Sequence, residues 1–144
     1  MLTAAMAAAG AQAPGALSQT WFTIHGDPDN PLVNTIQVNP VPISIEGEQR
    51  TMKVRVSRSA PRRNWDGLSY RSYESVVLFN CVTNTARYLS ADFYPQPGWK
   101  GDAVKTVYTA EVPRMMAFLD VEPNPTLRIL RAACSTGRSA ATQN

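Results

Sequence analysis

Met52-Lys53-Val54-Arg55-Val56-Ser57-Arg58 is the stretch that decides the fold, because apolar and polar side chains alternate along it. A period of two is typical of a β-strand with one buried face and one solvated face. The three apolar positions are predicted to face a core, and the positions between them to face water. A sheet with one buried face is therefore the centre of the predicted fold.

Further strands are predicted on both sides of this segment. They are Trp21–His25, Val33–Val38, Ile43–Ile45, Leu68–Cys81, Ala86–Tyr94 and Val104–Val112. The prolines at 40 and 42 place Ile43–Ile45 along an edge, where a missing backbone donor is tolerated. Ser59–Gly67 is predicted to be a polar, basic loop.

One helix is predicted near the C-terminus, at Thr126–Cys134, with Asn124 as its N-cap and Pro125 in the first helical position. Its buried face is predicted to consist of Leu127, Leu130, Ala133 and Cys134. Strands followed by one helix predict an α+β fold: a single antiparallel sheet of about six strands with the C-terminal helix packed on one face. The opposite face is then free to act as a binding surface or a dimer interface.

The chain has 144 residues, of which 44% are hydrophobic, and a formal charge of +3. This length suits one domain. Residues 1–13 carry no charge and end in Ala11-Gln12-Ala13, a small-x-small pattern typical of a signal-peptidase site. Because a basic n-region is missing, we expect this signal peptide to have a truncated start. The alternative is a disordered Ala-rich tail on a cytoplasmic protein.

The sequence divides into four predicted segments. They are a signal peptide at 1–13, a flexible segment at 14–20, the domain at 21–136 and a frayed tail at 137–144. No segment approaches the ~20 consecutive apolar residues of a transmembrane helix.

The only two cysteines are Cys81 and Cys134. In an exported chain, two cysteines most simply form one disulfide, which here would join the predicted helix to the longest predicted strand. In a reducing cytoplasm they would be two separate buried thiols. Two cysteines and one histidine are too few for a metal site.

The order of these features resembles a known family. A Trp21 strand comes first, followed by Ser75–Cys81, an Arg87-Tyr88 element, a Gly-rich turn at 98–101 and a short helix that reaches Cys134. The chain is similar in this respect to the surface-adhesin protein E family of Gram-negative bacteria. The resemblance implies a six-stranded antiparallel sheet with a packed C-terminal helix, a periplasmic or outer-surface location and a homodimer. It also implies binding to host matrix proteins such as laminin and vitronectin, and to plasminogen; it identifies no ligand-binding residue.

No catalytic, cofactor-binding or metal-binding residue is predicted. The single histidine, His25, has no triad or metal partner set, and no Gly-x-Ser-x-Gly or His-Glu-x-x-His motif is present. Asp27 and Asp29 are interpreted as turn residues, and Asp120 and Glu122 as exposed carboxylates. We therefore expect a protein that is not an enzyme and has no cofactor.

A run of basic residues is the candidate binding patch. It consists of Lys53, Arg55, Arg58, Arg62 and Arg63. Arginine forks suit sulfate, so sulfated glycans, anionic lipopolysaccharide or acidic stretches of a host protein are the expected partners. The alternative is a set of solvated charges that protects a strand edge from aggregation. Nucleic acid is not an expected partner, because no recognition motif is present.

The aromatic residues Tyr70, Tyr73, Tyr88, Tyr94 and Trp99 are interpreted as core and rim packing rather than as a binding strip. The sequence as a whole predicts an exported, non-enzymatic domain of the periplasm or outer cell surface that acts as an adhesin. The alternative is a periplasmic envelope protein, structural or stress-related, that has no host ligand.

Overall fold

The structure, a computed structural model, describes residues 20–137. Its elements are β1 (Phe22–His25), β2 (Thr35–Val38), β3 (Ser44–Glu46), β4 (Gln49–Arg63), β5 (Ser69–Asn80), β6 (Thr85–Tyr94), β7 (Val104–Val107) and α1 (Thr126–Ser135). The predicted signal peptide, residues 14–19 and the tail from 138 lie outside the described residues. The predicted α+β class is confirmed.

All strand pairs are antiparallel, and the sheet order is β1-β2-β4-β5-β6-β7. The short β3 also pairs with β4, beyond the end of β2. Pro40 and Pro42 separate β2 from β3, and the backbone N–H groups of Asn39 and Ile43 donate to β4 on either side of them. The prolines therefore occupy the unpaired gap between two strands on the same edge of β4, as their missing donors require.

Strand β4 shows the predicted alternation. Met52, Val54 and Val56 are all at most 1% exposed, whereas the residues between them are half-buried. Across the sheet, Val54 pairs with Ser75 and Val56 with Tyr73. The core thus lies on one face of the central strands.

Strand β4 is longer than predicted, because Ser59–Arg63 belongs to it and is not part of a loop. Its pairing with β5 is interrupted after Ser57 and resumes at Arg62 and Arg63. Within this irregularity β4 has four residues opposite one, so Pro61 needs no ladder donor. A loop of five residues follows, at 64–68.

Helix α1 occupies the predicted segment with a small shift at its start. Pro125 is the N-cap residue rather than the first helical residue, and Asn124 Oδ1 accepts a hydrogen bond from the N–H of Thr126 at 2.9 Å. Asparagine therefore still satisfies one of the free backbone donors at the start of the helix.

The buried face of α1 differs from the prediction at one end. Ile129, Leu130, Ala133 and Cys134 are buried, whereas Leu127 is 62% exposed. At about 100° per residue, a face that contains both Ile129 and Ala133 leaves Leu127 at its border. The prediction that Leu127 packs in the core is wrong, because Ile129 takes its place.

The predicted disulfide is present between Cys81, just after β5, and Cys134 in α1, with 5.7 Å between the Cα atoms. A hydrogen bond also connects the end of the helix to the sheet. Arg50 of β4 is buried, and its Nε donates to the carbonyl of Thr136 at 3.0 Å. The end of the helix is thus fixed to two neighbouring central strands.

Candidate functional site

Helix α1 covers one face of the sheet and leaves residues on the other face available as a surface. We call this surface the open face. It consists of Trp21, Lys53, Arg55, Glu74, Tyr94 and Trp99, and the buried Gln37 contacts Arg55. These side chains lie on strands β2, β4, β5 and β6 or immediately beside the sheet.

Arg55 is the centre of the open face. Its Cζ atom lies 4.3 Å from the ring centroid of Trp21 and 3.8 Å from that of Trp99. Its Nε donates to Gln37 Oε1 at 2.7 Å. Burial lowers the pKa of Arg55, and the nearby Glu74 and Tyr94 oppose this shift. The result is a guanidinium held between two indole rings, an arrangement that favours cation–π attraction.

Two serines hold Trp99 in place. The N–H of Trp99 donates to Ser72 Oγ at 2.9 Å, and the N–H of Gly98 donates to Ser57 Oγ at 3.1 Å. The indole Nε1 donates to the carbonyl of Tyr73 at 3.0 Å. Ser57 and Ser72 are paired across β4 and β5, so the sheet itself positions the Trp99 ring.

Charges on the open face partly cancel. Lys53 lies 3.6 Å from Glu74, which pairs with Arg55 across the two strands. Side chains of Lys53 and Glu74 are 32% and 25% exposed. The surface is therefore one of aromatic rings with a small excess of positive charge rather than a strongly cationic field.

A cavity of about 400 Å³ lies on the opposite side of the sheet, next to the core. We call it the arginine–tyrosine cavity. Its lining includes Arg58, Asn64, Trp65, Tyr73, Tyr88 and Tyr108. The residues come from β4, β5, β6, the loop after β4 and the chain that follows β7.

Arg58 enters this cavity from β4 with only 7% of its side chain exposed. Its Nη1 lies 3.2 Å from Asp120 Oδ2, and Arg62 also donates to that oxygen. Burial alone would raise the pKa of Asp120, but Arg58 and Arg62 outweigh this effect and hold the pKa below its usual range. Asp120 is therefore ionised and neutralises part of the charge of the two arginines.

Tyrosines form the wall of the cavity. The hydroxyl groups of Tyr73 and Tyr88 lie 2.5 Å apart, and both side chains are buried. Burial raises the pKa of each phenol, and that of Tyr108 rises to about 12. Trp65 packs edge-on against Tyr108, with 5.6 Å between the ring centroids. All three phenols are therefore neutral at physiological pH.

Comparison with known proteins decides the family. The model of the family described as surface-adhesin protein E matches residues 21–135. The chain belongs to the surface-adhesin protein E family. The match covers the sheet, both cysteines and α1, so the domain predicted from the sequence is a protein E domain. No curated protein and no solved structure matches the chain.

Within this protein E domain, the five basic residues of the predicted patch do not share one surface. Lys53 and Arg55 lie on the open face, whereas Arg58, Arg62 and Arg63 line the arginine–tyrosine cavity. Arg55 has paired neighbours on both sides, whereas Arg62 and Arg63 lie beyond the end of β2 and pair with β5 alone. The alternative interpretation, that these charges protect a strand edge, therefore stays a prediction.

Arg58, predicted to belong to the basic binding patch, is buried. It continues the even-numbered register of Met52, Val54 and Val56, so the alternation in β4 already placed it on the core side. Because arginine is charged, the alternation was not interpreted as placing Arg58 on the core side. Its carboxylate partner, Asp120, is 62 positions away, a distance that no local pattern bridges.

The five aromatic residues noted in the sequence divide in the same way. Tyr70, Tyr73 and Tyr88 line the cavity, and Trp99 and Tyr94 lie on the open face. Sequence reasoning missed Tyr108 as a lining residue. It lies just beyond β7, and only the fold brings it beside Tyr88.

Residues 20–137 contain no group of three or more His, Cys, Asp or Glu side chains placed to hold a metal ion. In the same residues, no helix has the length and apolar character needed to cross a membrane.

Proposed function

We propose that this chain is an exported, non-enzymatic adhesin that binds a host extracellular-matrix protein through its open face. The observation that carries the proposal is the stack of Trp21, Arg55 and Trp99 on the sheet face that α1 leaves uncovered. Membership in a family of surface adhesins supports the same conclusion.

The composition of the open face suits a protein partner. Tryptophan, tyrosine and arginine are the residues most enriched among the energetically important positions of protein interfaces. Trp99 is already held by hydrogen bonds from its backbone and its indole to β5. A partner would therefore meet a surface that loses little side-chain entropy on binding.

The same face is less suited to a sulfated glycan. Lys53 is paired with Glu74, and Arg55 is enclosed by two rings and Gln37. On the other side of the sheet, Arg58 and Arg62 share the carboxylate of Asp120. Binding of a long polyanion depends on several cations on one surface, and the five basic residues are divided between the two faces of the sheet. A protein ligand is therefore favoured over heparin-like chains.

The disulfide supports export. Structural disulfides form and persist in oxidising compartments such as the periplasm and the cell surface, and here the bond joins α1 to the end of β5. A periplasmic envelope protein without a host ligand has the same requirement. Exposure on intact cells distinguishes the two functions.

The test combines location and binding. Intact cells that produce the protein are treated with proteinase K, and the purified protein is applied to immobilised laminin, vitronectin, plasminogen and heparin. We expect degradation on intact cells and saturable binding to at least one of the three proteins that persists in 0.3 M NaCl. Protection from protease together with no binding would favour the periplasmic function, and binding to heparin alone would favour the glycan.

A further inference from the structure

Buried polar atoms without a hydrogen-bond partner are concentrated in one place. Among the described residues, three side-chain atoms have this property: Arg58 Nε, Asn64 Nδ2 and Tyr108 Oη. All three residues line the arginine–tyrosine cavity. Because a buried polar group without a partner is destabilising, their common location points to a ligand.

The chemistry of these atoms specifies what the ligand must offer. Arg58 Nε and Asn64 Nδ2 are donors only, and a phenol such as Tyr108 also donates. The ligand must therefore present acceptor oxygens. Three arginines and one aspartate among the lining residues leave an excess of positive charge around the cavity, so an anionic acceptor is favoured over a neutral one.

The walls specify the rest of the ligand. Tyr73, Tyr88, Phe93 and Phe118 contribute aromatic surface, and the volume of about 400 Å³ lies within the range of small-molecule sites. Sulfate or phosphate alone would leave this apolar surface without contacts. A flat apolar body with one carboxylate satisfies both the walls and the donors.

The backbone beside the cavity is unusual. Phe118 is buried and has a φ of 47°, in the left-handed region that bulky side chains rarely adopt. Such conformations persist where the surrounding structure enforces them, and they are frequent at ligand sites. The ring of Phe118 itself forms part of the cavity lining.

We propose that the arginine–tyrosine cavity binds a small aromatic carboxylate. Arg58 Nε, Asn64 Nδ2 and Tyr108 Oη each expose less than 1 Å² in the structure, so on binding these side chains reorient to donate hydrogen bonds to the carboxylate. The ring of the ligand packs against the tyrosines. The ligand is either a free aromatic acid or the C-terminal residue of a peptide that ends in phenylalanine. This site lies on the other side of the sheet from the open face, so the proposal does not depend on the adhesin function.

The test uses isothermal titration of the full protein with benzoate, with benzamide as the neutral counterpart of the same shape, and with a short peptide that ends in phenylalanine. Two variants remove single donors. Asn64→Asp keeps the Oδ1 acceptor for the N–H groups of Asp66 and Leu68, so the loop is retained. Tyr108→Phe removes a hydroxyl that has no partner in the structure. Tyr94→Phe, on the open face, is the matched control.

We expect benzoate to bind more tightly than benzamide. Asn64→Asp should weaken binding by about tenfold or more, since it removes a donor and adds a like charge, and Tyr108→Phe by about threefold. Tyr94→Phe should leave the affinity unchanged. Binding of the peptide but not of benzoate would identify a peptide terminus as the source of the carboxylate. The proposal is overturned if neither acid binds, or if Asn64→Asp binds benzoate as well as the wild type does.

Discussion

Asp120 Oδ2 lies 3.2 Å from Nη1 of Arg58 and joins a strand at the centre of the sheet to the chain that leads into α1. Arg58 is 7% exposed and Asp120 is 40% exposed, so the carboxylate connects a buried charge to the surface. A buried guanidinium without such a partner is strongly destabilising. This ion pair therefore allows an arginine to line the cavity.

The ion pair predicts a dependence of stability on pH. The pKa of Asp120 is held below its usual value. The stabilisation of the folded state by the ionised carboxylate is therefore present above about pH 4, and it is lost as the pH falls through the lowered pKa. Asp120→Asn should lower the free energy of unfolding at pH 6 by roughly 1 kcal/mol, a modest value because solvent screens the exposed carboxylate. Urea unfolding of both proteins between pH 7 and pH 3 measures the difference, which should shrink below pH 4. A difference that does not change with pH would contradict this account.

The buried phenols predict the opposite behaviour at alkaline pH. Burial raises the pKa of Tyr73 and Tyr88, so the folded state favours their neutral forms. The stabilisation of the folded state by these two neutral phenols is complete below about pH 10 and is lost as the pH rises above that value. Absorbance at 295 nm during a pH titration should show these two phenols ionising only as the protein unfolds. Ionisation of all five tyrosines near pH 10, with the fold retained, would refute the assignment.

Tyr88→Phe tests the same pair at neutral pH. Removing one hydroxyl leaves that of Tyr73 without the partner now 2.5 Å away. We expect a loss of about 1–2 kcal/mol in the free energy of unfolding. Tyr94→Phe, outside the cavity, should change it by less than about 0.5 kcal/mol.

Two glycines with positive φ give a matched pair of predictions. Gly26 has a φ of 89°, and a Cβ there would meet the Asn34 carbonyl oxygen at 2.1 Å. Gly47 has a φ of 61°, and nothing lies within 4 Å of its Cβ position. Gly47→Ala should therefore cost only the ~1–2 kcal/mol of the left-handed backbone, and Gly26→Ala clearly more. Thermal unfolding measures both, and equal losses would show that the contact with Asn34 is unimportant.

The disulfide predicts a large effect of reduction. Cys81 and Cys134 are separated by 53 positions, for which the loop-entropy model gives ~4 kcal/mol as an upper estimate. Cys81→Ala combined with Cys134→Ala should lower the urea midpoint strongly. Reductant should change the midpoint of the wild type and not that of the variant. In the unreduced, unfolded protein, alkylation should modify neither cysteine.

The sequence predicted well those features that are encoded locally. Alternation in Met52–Arg58 identified the central strand and its buried face, and the pattern at 124–134 located the helix. Two features were missed because their causes are not local. Leu127 is exposed because Ile129 packs against the sheet instead, and Ser59–Arg63 continues β4 because β5 offers a partner beyond an irregular register.

The candidate sites were less predictable than the fold. The basic run was visible in the sequence, but its division between two faces follows from the register of β4 and from the position of Asp120. Likewise, the neighbours of Arg55 come from residues 21 and 99, which only the folded sheet brings together. Spacing along the chain therefore cannot reveal which basic residue meets which aromatic ring.

The most direct test of the adhesin proposal is equilibrium binding to laminin and vitronectin by the wild type, by Trp99→Ala and by Arg131→Ala. Arg131 lies on the exposed side of α1 and serves as the control. Trp99→Ala removes one ring of the Arg55 stack and should weaken binding by about tenfold or more, as expected for an interface anchor. Arg131→Ala should bind like the wild type. No binding by the wild type, or equal binding by all three proteins, would contradict the proposal that the open face is the adhesive surface.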